Sequence, residues 1–376
     1  MNDFGPPWDE AGKNNAREAA RRLARHHDVV CLGLGERDAE ETIDGLRVIR
    51  SASPLYRSRW KRLLYALGYA RLICRARGLL GDFRPERIVC FWETATTALP
   101  AAWLRSVLAP EARLIQVVWT DSYALQAAPA GIWLTEHLPN LLFNGELATG
   151  IAIRRVDCVV ATSRYLAGRM RVAGARQVFA GGHGVDLERF APVDSGPRSE
   201  GPPVVGYLGH ATHAKGLEVL LEAAGPLAER GELELRLALS DSPEAEALRR
   251  SVGRGVRIEG YCDPGVFFRG CDLLVFPRVS SYGTASYPNA ILEAMACGRC
   301  VLTTRQPAIE ELVRDGETGA LVPPGDAGAL RQAISELLGD AALREGMGGA
   351  AREWVARELG WERALQPLEA ALEQDG

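Results

Sequence analysis

Lysine is nearly absent from this chain: of 44 lysine and arginine residues, only Lys13, Lys61 and Lys215 are lysine. Where arginine supplies almost all the positive charge, a lysine marks a position able to use a compact ammonium instead of a planar fork. Lys13 and Lys215 adjoin glycines in segments that read as turns, Lys13 as a surface residue. An excess of one charge is also missing. A net charge of -4 over 376 residues offers no basic face for general nucleic-acid binding. No stretch has the length of a membrane span, and the opening MNDFGPPWDEAG lacks the apolar core of a secretory signal. The eight cysteines are scattered, which suits a reducing, cytoplasmic compartment better than a disulfide framework. Solenoid repeats and low-complexity tracts are absent as well.

With 47% hydrophobic and 24% charged residues, the chain is globular, and its length suits two domains. Apolar runs of strand length alternate with amphipathic segments. The expected strands are Asp28–Leu34, Arg87–Phe91, Leu114–Trp119, Cys158–Ala161, Val204–Leu208, Leu233–Leu239, Val256–Ile258, Leu273–Phe276 and Cys300–Thr303. Helices are expected over Ala16–Arg25, Gly216–Arg230, Asn289–Cys297 and Trp361–Gln374. Such alternation predicts α/β architecture, with parallel sheets covered on both faces. The Pro-, Gly- and Ser-rich stretch Pro192–Pro203 reads as a linker, giving domains over 1–192 and 204–358. Residues 359–376 then form a helix that packs back on the first domain. Asn2–Asp9 reads as the loop after a first strand, so that strand is expected to be missing or upstream.

Two segments carry chemistry. In VVGYLGHATHAKGLEVLLEA, an apolar strand ends at Gly209, and Lys215-Gly216 opens a helix. Free backbone N–H groups and the helix dipole favour an anion there, and the ammonium adds a full charge. The plain alternative is a βα turn with a solvated lysine. In FPRVSSYGTASYPNAILEAMACGRCV, a Gly/Ser/Thr loop follows a buried strand and leads to a helix, with Ser286 as its expected N-cap and Pro288 near its first turn. Glu293, one turn in, suits a pair of ribose hydroxyls; the plain alternative is an exposed helical glutamate.

Together with VRIEGYCDP, CDLLVFPR, AIEELVRDGETGALVPPGD, VDCVVATSRYLAGRM and GHGVDLERFAP, these segments resemble the retaining GT-B glycosyltransferases of family four. The resemblance covers most of the chain. It implies two Rossmann-like, doubly wound domains facing across a cleft, and transfer of a sugar from a nucleotide-sugar donor with retention. Lys215 would neutralise the donor diphosphate, and Gly209, His210 and the loop Gly283, Thr284, Ala285, Ser286 with Asn289 would surround it. Glu293 matches the second glutamate of the family's E-x7-E motif and would hold the ribose. Gly260 and Tyr261 would flank the base, and Gly12 with Lys13 would occupy the glycine loop on the acceptor side. No metal or other cofactor is expected, because side chains and helix dipoles supply the charge.

The chain departs from the pattern in three places. The first motif glutamate is replaced by Ala285, where relatives contact the transferred sugar, and Ser280, Ser281, Tyr282 or Thr284 would have to supply hydrogen bonds. An arginine usual after Gly209 is His210. Where relatives often carry a histidine, this chain reads Val118-Trp119-Thr120-Asp121, which makes Asp121 and Glu93 candidates for the acceptor.

Residues 54–81 hold seven basic and no acidic side chains, with Tyr56, Trp60, Leu63, Leu67 and Ala70 at helical spacing. That pattern fits peripheral contact with an anionic membrane at its inner face, or a helix covering a sheet. Cys297 and Cys300 form a lone CxxC that reads as structural, and His183 near the domain junction reads likewise. Two other functions stay open: a catalytically silent GT-B protein that binds a nucleotide or partner enzyme, and a GT-B epimerase or phosphorylase.

Overall fold

The apolar runs become the strands of three sheets. A computed structural model of the chain describes residues 11–53, 61–91, 95–120, 145–192, 201–260, 262–281 and 285–374, the side chains of 11 and 61–66 excepted. Residue contacts divide it into two compact units, Met1–His183 with Leu365–Gly376, and Gly184–Ala364.

The first unit opens with α1 (Ala11–Leu23), followed by β1 (Val30–Gly35), β2 (Ala39–Ile43) and β3 (Leu46–Ala52). Then come α2 (Lys61–Leu79), β4 (Arg87–Phe91), α3 (Ala98–Leu108) and β5 (Arg113–Val118). After residue 145 the order is α4 (Glu146–Ile153), β6 (Cys158–Ala161), α5 (Arg164–Val172) and β7 (Val178–Ala180). Among the described residues its strands form two sheets, β1-β3-β2 and β4-β5-β6-β7, instead of one. The residues read as the loop after a first strand, 2–9, lie outside the described ones.

The antiparallel β2–β3 hairpin was not expected. It turns through Asp44 (φ 51°) and Gly45 (φ 80°), the two positive-φ residues of a type I′ turn. Its strands carry charged side chains, such as the Glu40–Arg47 pair at 2.7 Å, so no apolar run announced them. Helix α2 covers a sheet through Leu72, Ile73 and Ala76, all under 5% exposed. Of the stripe expected there, Leu67 is 65% exposed and Ala70 half-buried, so it is not the face that covers the sheet, while Tyr56, Trp60 and the side chain of Leu63 lie outside the described residues. Arg71 and Arg75 both pair with Asp38, at 2.7 and 3.5 Å.

The second unit alternates strand and helix: β8 (Val204–Gly209), α6 (Leu217–Glu229), β9 (Glu234–Leu239), α7 (Pro243–Ser251), β10 (Val256–Glu259) and α8 (Pro264–Arg269). It continues with β11 (Leu273–Phe276), α9 (Asn289–Ala296), β12 (Val301–Thr304), α10 (Pro307–Leu312) and β13 (Ala320–Val322). The last helices are α11 (Ala327–Gly339), α12 (Ala341–Glu358) and α13 (Trp361–Glu373), the last of which runs from this unit into residues grouped with the first. All six strands are parallel, in the order β10-β9-β8-β11-β12-β13. Val204, Leu274 and Val301 enter one core, and Val205, Leu273, Val275 and Leu302 the other. Burial on both faces explains why these strands read as unbroken apolar runs.

The unit boundary differs from the expected linker. Val185 and Phe190 are part of a second-unit core, and Val185 N–H donates to Leu359 O at 2.9 Å, so the chain commits to that unit at Gly184. Residues 193–200 lie outside the described ones. In the first unit, Arg87 Nε donates to Leu372 O at 2.8 Å, the Arg113 guanidinium donates to Gln374 O, and Pro367 lies against Gly181.

Candidate functional site

In the six-stranded sheet the chain steps outward from β8 to β9 and β10, then returns to place β11 on the other side of β8. Between β8 and β11 the strand order therefore reverses, and loops leaving the carboxyl ends of two such strands diverge and leave a crevice. The loop after β8 carries Lys215, and the loop after β11 runs from Pro277 to Pro288.

The two loops are pressed together backbone to backbone. Gly216 has φ 73°, and a Cβ there would overlap the Pro277 carbonyl oxygen, so only glycine fits. Val279 and Ser280 N–H both donate to Ala214 O, at 3.2 and 3.4 Å. From the other side, Thr304 Oγ1 and Gln306 Nε2 donate to Arg278 O at 2.6 and 3.2 Å. At the end of β8, the buried Tyr207 hydroxyl donates to His210 O at 2.8 Å and occupies the space beside Gly209. Burial holds that phenol above its ordinary range. The His210 side chain itself is exposed.

Lys215 ends a single 3-10 turn, His213–Lys215, and Gly216 then caps α6. Among the described residues its ammonium makes no hydrogen bond or ion pair. Burial, with the nearby Arg278 charge adding to it, lowers its pKa to about 7. Arg278 is 3% exposed, donates from Nη1 to Ala285 O at 3.2 Å, and is itself lowered to about 10 by burial. A positive charge on the half-buried Lys215 is therefore disfavoured, by its partial burial first and by the Arg278 charge second.

Helix α9 starts at Asn289, with Pro288 in the N-cap position and no side-chain cap. The expectation of Ser286 as N-cap is overturned, because Pro288, held at φ -67° with an extended ψ, delays the helix by two residues. Ser286 is instead 6% exposed, and its Oγ has no hydrogen-bond partner among the described residues. Glu293 is partly buried, not the exposed helical residue of the plain reading. Among the described residues its carboxylate takes part in no hydrogen bond or ion pair. Burial raises its pKa to about 7; Arg189 pulls it down and Asp263 pushes it up. Asp263 caps α8 through Val266 N–H at 3.0 Å, a few residues after the exposed Gly260 that follows β10.

Glu293 carries an expected pH effect. Its folded-state pKa lies above the unfolded value, so its stability contribution is intact below about 4.5 and is lost as pH rises toward 7. Glu293→Gln stays neutral throughout. It is expected to gain about 1–3 kcal/mol over wild type at pH 8 and almost nothing at pH 4.5, read by urea unfolding. Equal gains at both pH values would show that the carboxylate is not held in a desolvated place.

The other nominated residues are distributed as follows. Ala285 and Ser286 lie beside Arg278, and Asn289 opens α9. Tyr261, Tyr282, Gly283 and Thr284 lie outside the described residues, as do Glu93 and Asp121. In the first unit, Gly12 and Lys13 are not in a loop but in the first turn of α1. Lys13 is 7% exposed, which corrects its reading as a surface residue. Gly12 backs onto the buried Trp119 ring, where a Cβ would stand 3.3 Å away. His183 is 1% exposed and shares a 3.0 Å hydrogen bond with Asn15. Cys297 and Cys300 are both buried in the second-unit cores. Arg278, Tyr207 and Thr304 were not singled out in the sequence. The available signal was a charged residue at the carboxyl end of a buried parallel strand, a position that faces ligands in such sheets.

A parallel sheet whose strand order reverses between β8 and β11, with Lys215 and Arg278 on the loops that leave those strands, is of the α/β class whose ligand crevices lie at strand ends. The family is more specific. Residues 13–179 match the model of a glycosyl transferase 4-like domain, and residues 202–340 match that of glycosyl transferases group 1. The chain belongs to this glycosyltransferase family. It is 28% identical over 209 residues to a D-inositol 3-phosphate glycosyltransferase of Corynebacterium urealyticum, covering 49% of this chain and 48% of the relative. It is 31% identical over 191 residues to a phosphatidyl-myo-inositol mannosyltransferase of Mycobacterium leprae, covering 47 and 50%. The chain thus spans about half the length of these curated relatives. Among solved structures, sucrose-phosphate synthase from Thermosynechococcus elongatus shares the fold at a TM-score of 0.75 and 20% identity, covering 95% of this chain and 91% of that one. Anabaena HepE, solved with UDP-glucose, does so at 0.73 and 17%, covering 99 and 97%.

Proposed function

We propose that the chain transfers a sugar from a nucleotide-sugar donor to an acceptor hydroxyl, with retention of configuration. The observation that carries this reading is a set of three side chains nominated from the sequence, Lys215, Ser286 and Glu293. Lys215 and Ser286 lie on the loops that follow β8 and β11, and Glu293 on α9 after them; all are at least partly buried, and none is hydrogen-bonded or ion-paired among the described residues. Folds leave such groups unsatisfied where a ligand completes them.

In this reading Lys215 and the N-termini of α6 and α9 receive the diphosphate. As the bond from anomeric carbon to phosphate oxygen breaks, charge grows on the leaving phosphate, and the preorganised ammonium stabilises it. The acceptor oxygen forms the new bond to the anomeric carbon, and its proton passes to the leaving phosphate oxygen. Glu293 holds two ribose hydroxyls, and Gly260 with Tyr261 flanks the base. Gly12, Lys13, Glu93 and Asp121 serve the acceptor. The charge is supplied by side chains and helix ends, so no catalytic metal is proposed. UDP-glucose bound to HepE supports a nucleotide-sugar donor, and the names of the relatives support an inositol-containing or lipid acceptor. For a lipid acceptor, peripheral contact with an anionic membrane goes with the exposed Leu67 face of α2.

Calorimetry with UDP-, GDP- and ADP-sugars, combined with an assay for donor hydrolysis, tests the proposal. Binding of one donor with slow hydrolysis is expected. Binding without turnover under any acceptor would favour a silent nucleotide-binding protein, the reading that Ala285 in place of the first motif glutamate supports. No binding would refute both.

A further inference from the structure

We propose that Arg352 is a positioning residue for nucleoside recognition, holding α9, and with it Glu293, against the segment by which the chain enters the second unit. The inference rests on the reading of Glu293 as the ribose-binding carboxylate and adds a residue outside every motif of the site.

A helix leaves its last carbonyls without partners of its own. At the end of α9, Cys297 and Gly298 N–H donate to Glu293 O and Met295 O, each at 2.9 Å, and Arg299 N–H donates to Ala294 O at 3.1 Å. Ala296 O instead accepts from Arg352 Nη1 at 2.9 Å. A cation there also meets the negative end of the helix dipole. The same guanidinium donates to Phe190 O at 3.3 Å and Leu187 O at 3.2 Å. Helix α12 delivers it: one turn before Arg352, on the same face, Gly348 packs so closely that a Cβ would stand 2.2 Å from Gly298 O.

The entry segment is in turn fixed to α8. Ala191 O accepts from Arg269 Nη1 at 3.4 Å, and Arg189 pairs with Asp263, the N-cap of α8, at 3.3 Å. Phe190 enters the core that also holds Ile291 and Leu292 of α9. Arg352 therefore joins the helix carrying the ribose carboxylate to a segment tied to the helix that follows the Gly260 turn. The start of α9 has a separate tether, from Tyr287 Oη to Glu311 at 3.1 Å. Losing Arg352 releases the far end of α9 while the loops after β8 and β11 keep their own bonds. A shift of about 1 Å is enough to misalign a carboxylate with a pair of hydroxyls.

Titration calorimetry on the full chain compares UDP, GDP and ADP with their 2′,3′-dideoxy analogues, with inorganic pyrophosphate as control. Wild type is expected to prefer one ribonucleotide over its dideoxy analogue by about 10–30-fold, and Glu293→Ala to abolish that preference. Arg352→Gln should reduce it to about threefold or less while pyrophosphate binding changes by less than about twofold. Arg352→Lys keeps a cation at Ala296 O but cannot span all three carbonyls, so its preference should fall between the two. In the double variant Glu293→Ala/Arg352→Gln, the preference should be no lower than in Glu293→Ala alone. A full ribose preference in Arg352→Gln, or equal losses for ribonucleotide, dideoxy analogue and pyrophosphate, would overturn the role and leave Arg352 as a structural tie. If Arg352→Gln does not fold, Arg352→Lys decides, and a wild-type preference in it overturns the proposal. A wild type without ribose preference, or Glu293→Ala that retains it, would instead refute the ribose reading of Glu293 on which the proposal stands.

Discussion

Lys215→Ala is expected to lower turnover by about 10²–10³-fold, the usual loss when one preorganised stabiliser of developing charge is removed. Stability should not fall with it. The folded state holds the ammonium near pKa 7, below the usual lysine value of 10.5, so between those values protonation opposes folding. Removing the amine removes that opposition, and Lys215→Ala should melt at or above the wild-type temperature at pH 7.5. The same shift predicts a ligand effect of definite sign. At pH 8 most of the unliganded protein carries a neutral amine, and an entering diphosphate draws a proton onto it. UDP affinity should decline as pH rises above about 7, and calorimetry in buffers of different ionisation enthalpy should record proton uptake. Near-normal turnover in Lys215→Ala, or binding with no proton exchange, would count against the whole assignment.

Gly216→Ala should do more damage to the fold than any other single methyl group near the site. Two costs add there: a left-handed φ of 73°, and a Cβ placed onto the Pro277 carbonyl. The first is on the order of 1 kcal/mol. The second cannot relax by side-chain rotation, because the obstructing atom is backbone and its loop is bonded to Ala214, Thr304 and Gln306. A total loss of roughly 3 kcal/mol or more in unfolding free energy is expected, with donor binding lost along with it. Gly225 in α6 has open space around its Cβ position, so Gly225→Ala is the matched control and should be neutral or mildly stabilising. If Gly216→Ala unfolds at the same urea concentration as wild type, the two loops are not in contact as described.

The second unit was legible in the sequence because its strands are buried on both faces and its helices are amphipathic. Leu273–Phe276 coincides with its expected bounds, as do Arg87–Phe91 and Cys158–Ala161 in the first unit, and the other expected strands shift by a residue or two at one or both ends. The β2–β3 hairpin escaped because its charged side chains break the apolar signal, although Asp44-Gly45 is a hairpin dipeptide. Strand β13 was too short at three residues to stand out. For the candidate site, Lys215 and Glu293 were nominated from their positions in the sequence. Arg278 was not, because an arginine after a strand ordinarily reads as solvated. That it is buried depends on how Pro277 meets Gly216, a contact between segments about sixty residues apart that no local pattern records.

The scarcity of lysine has a practical consequence at the bench. An ordinary surface lysine is almost fully protonated near neutral pH and reacts slowly with acylating reagents. Lys215, held near pKa 7, presents a substantial fraction of free amine under the same conditions, and it competes with only two other lysines in the chain. Amine-selective esters at neutral pH therefore turn this position into a reporter of occupancy, acylated readily when the pocket is empty and shielded once an anion has drawn the proton back.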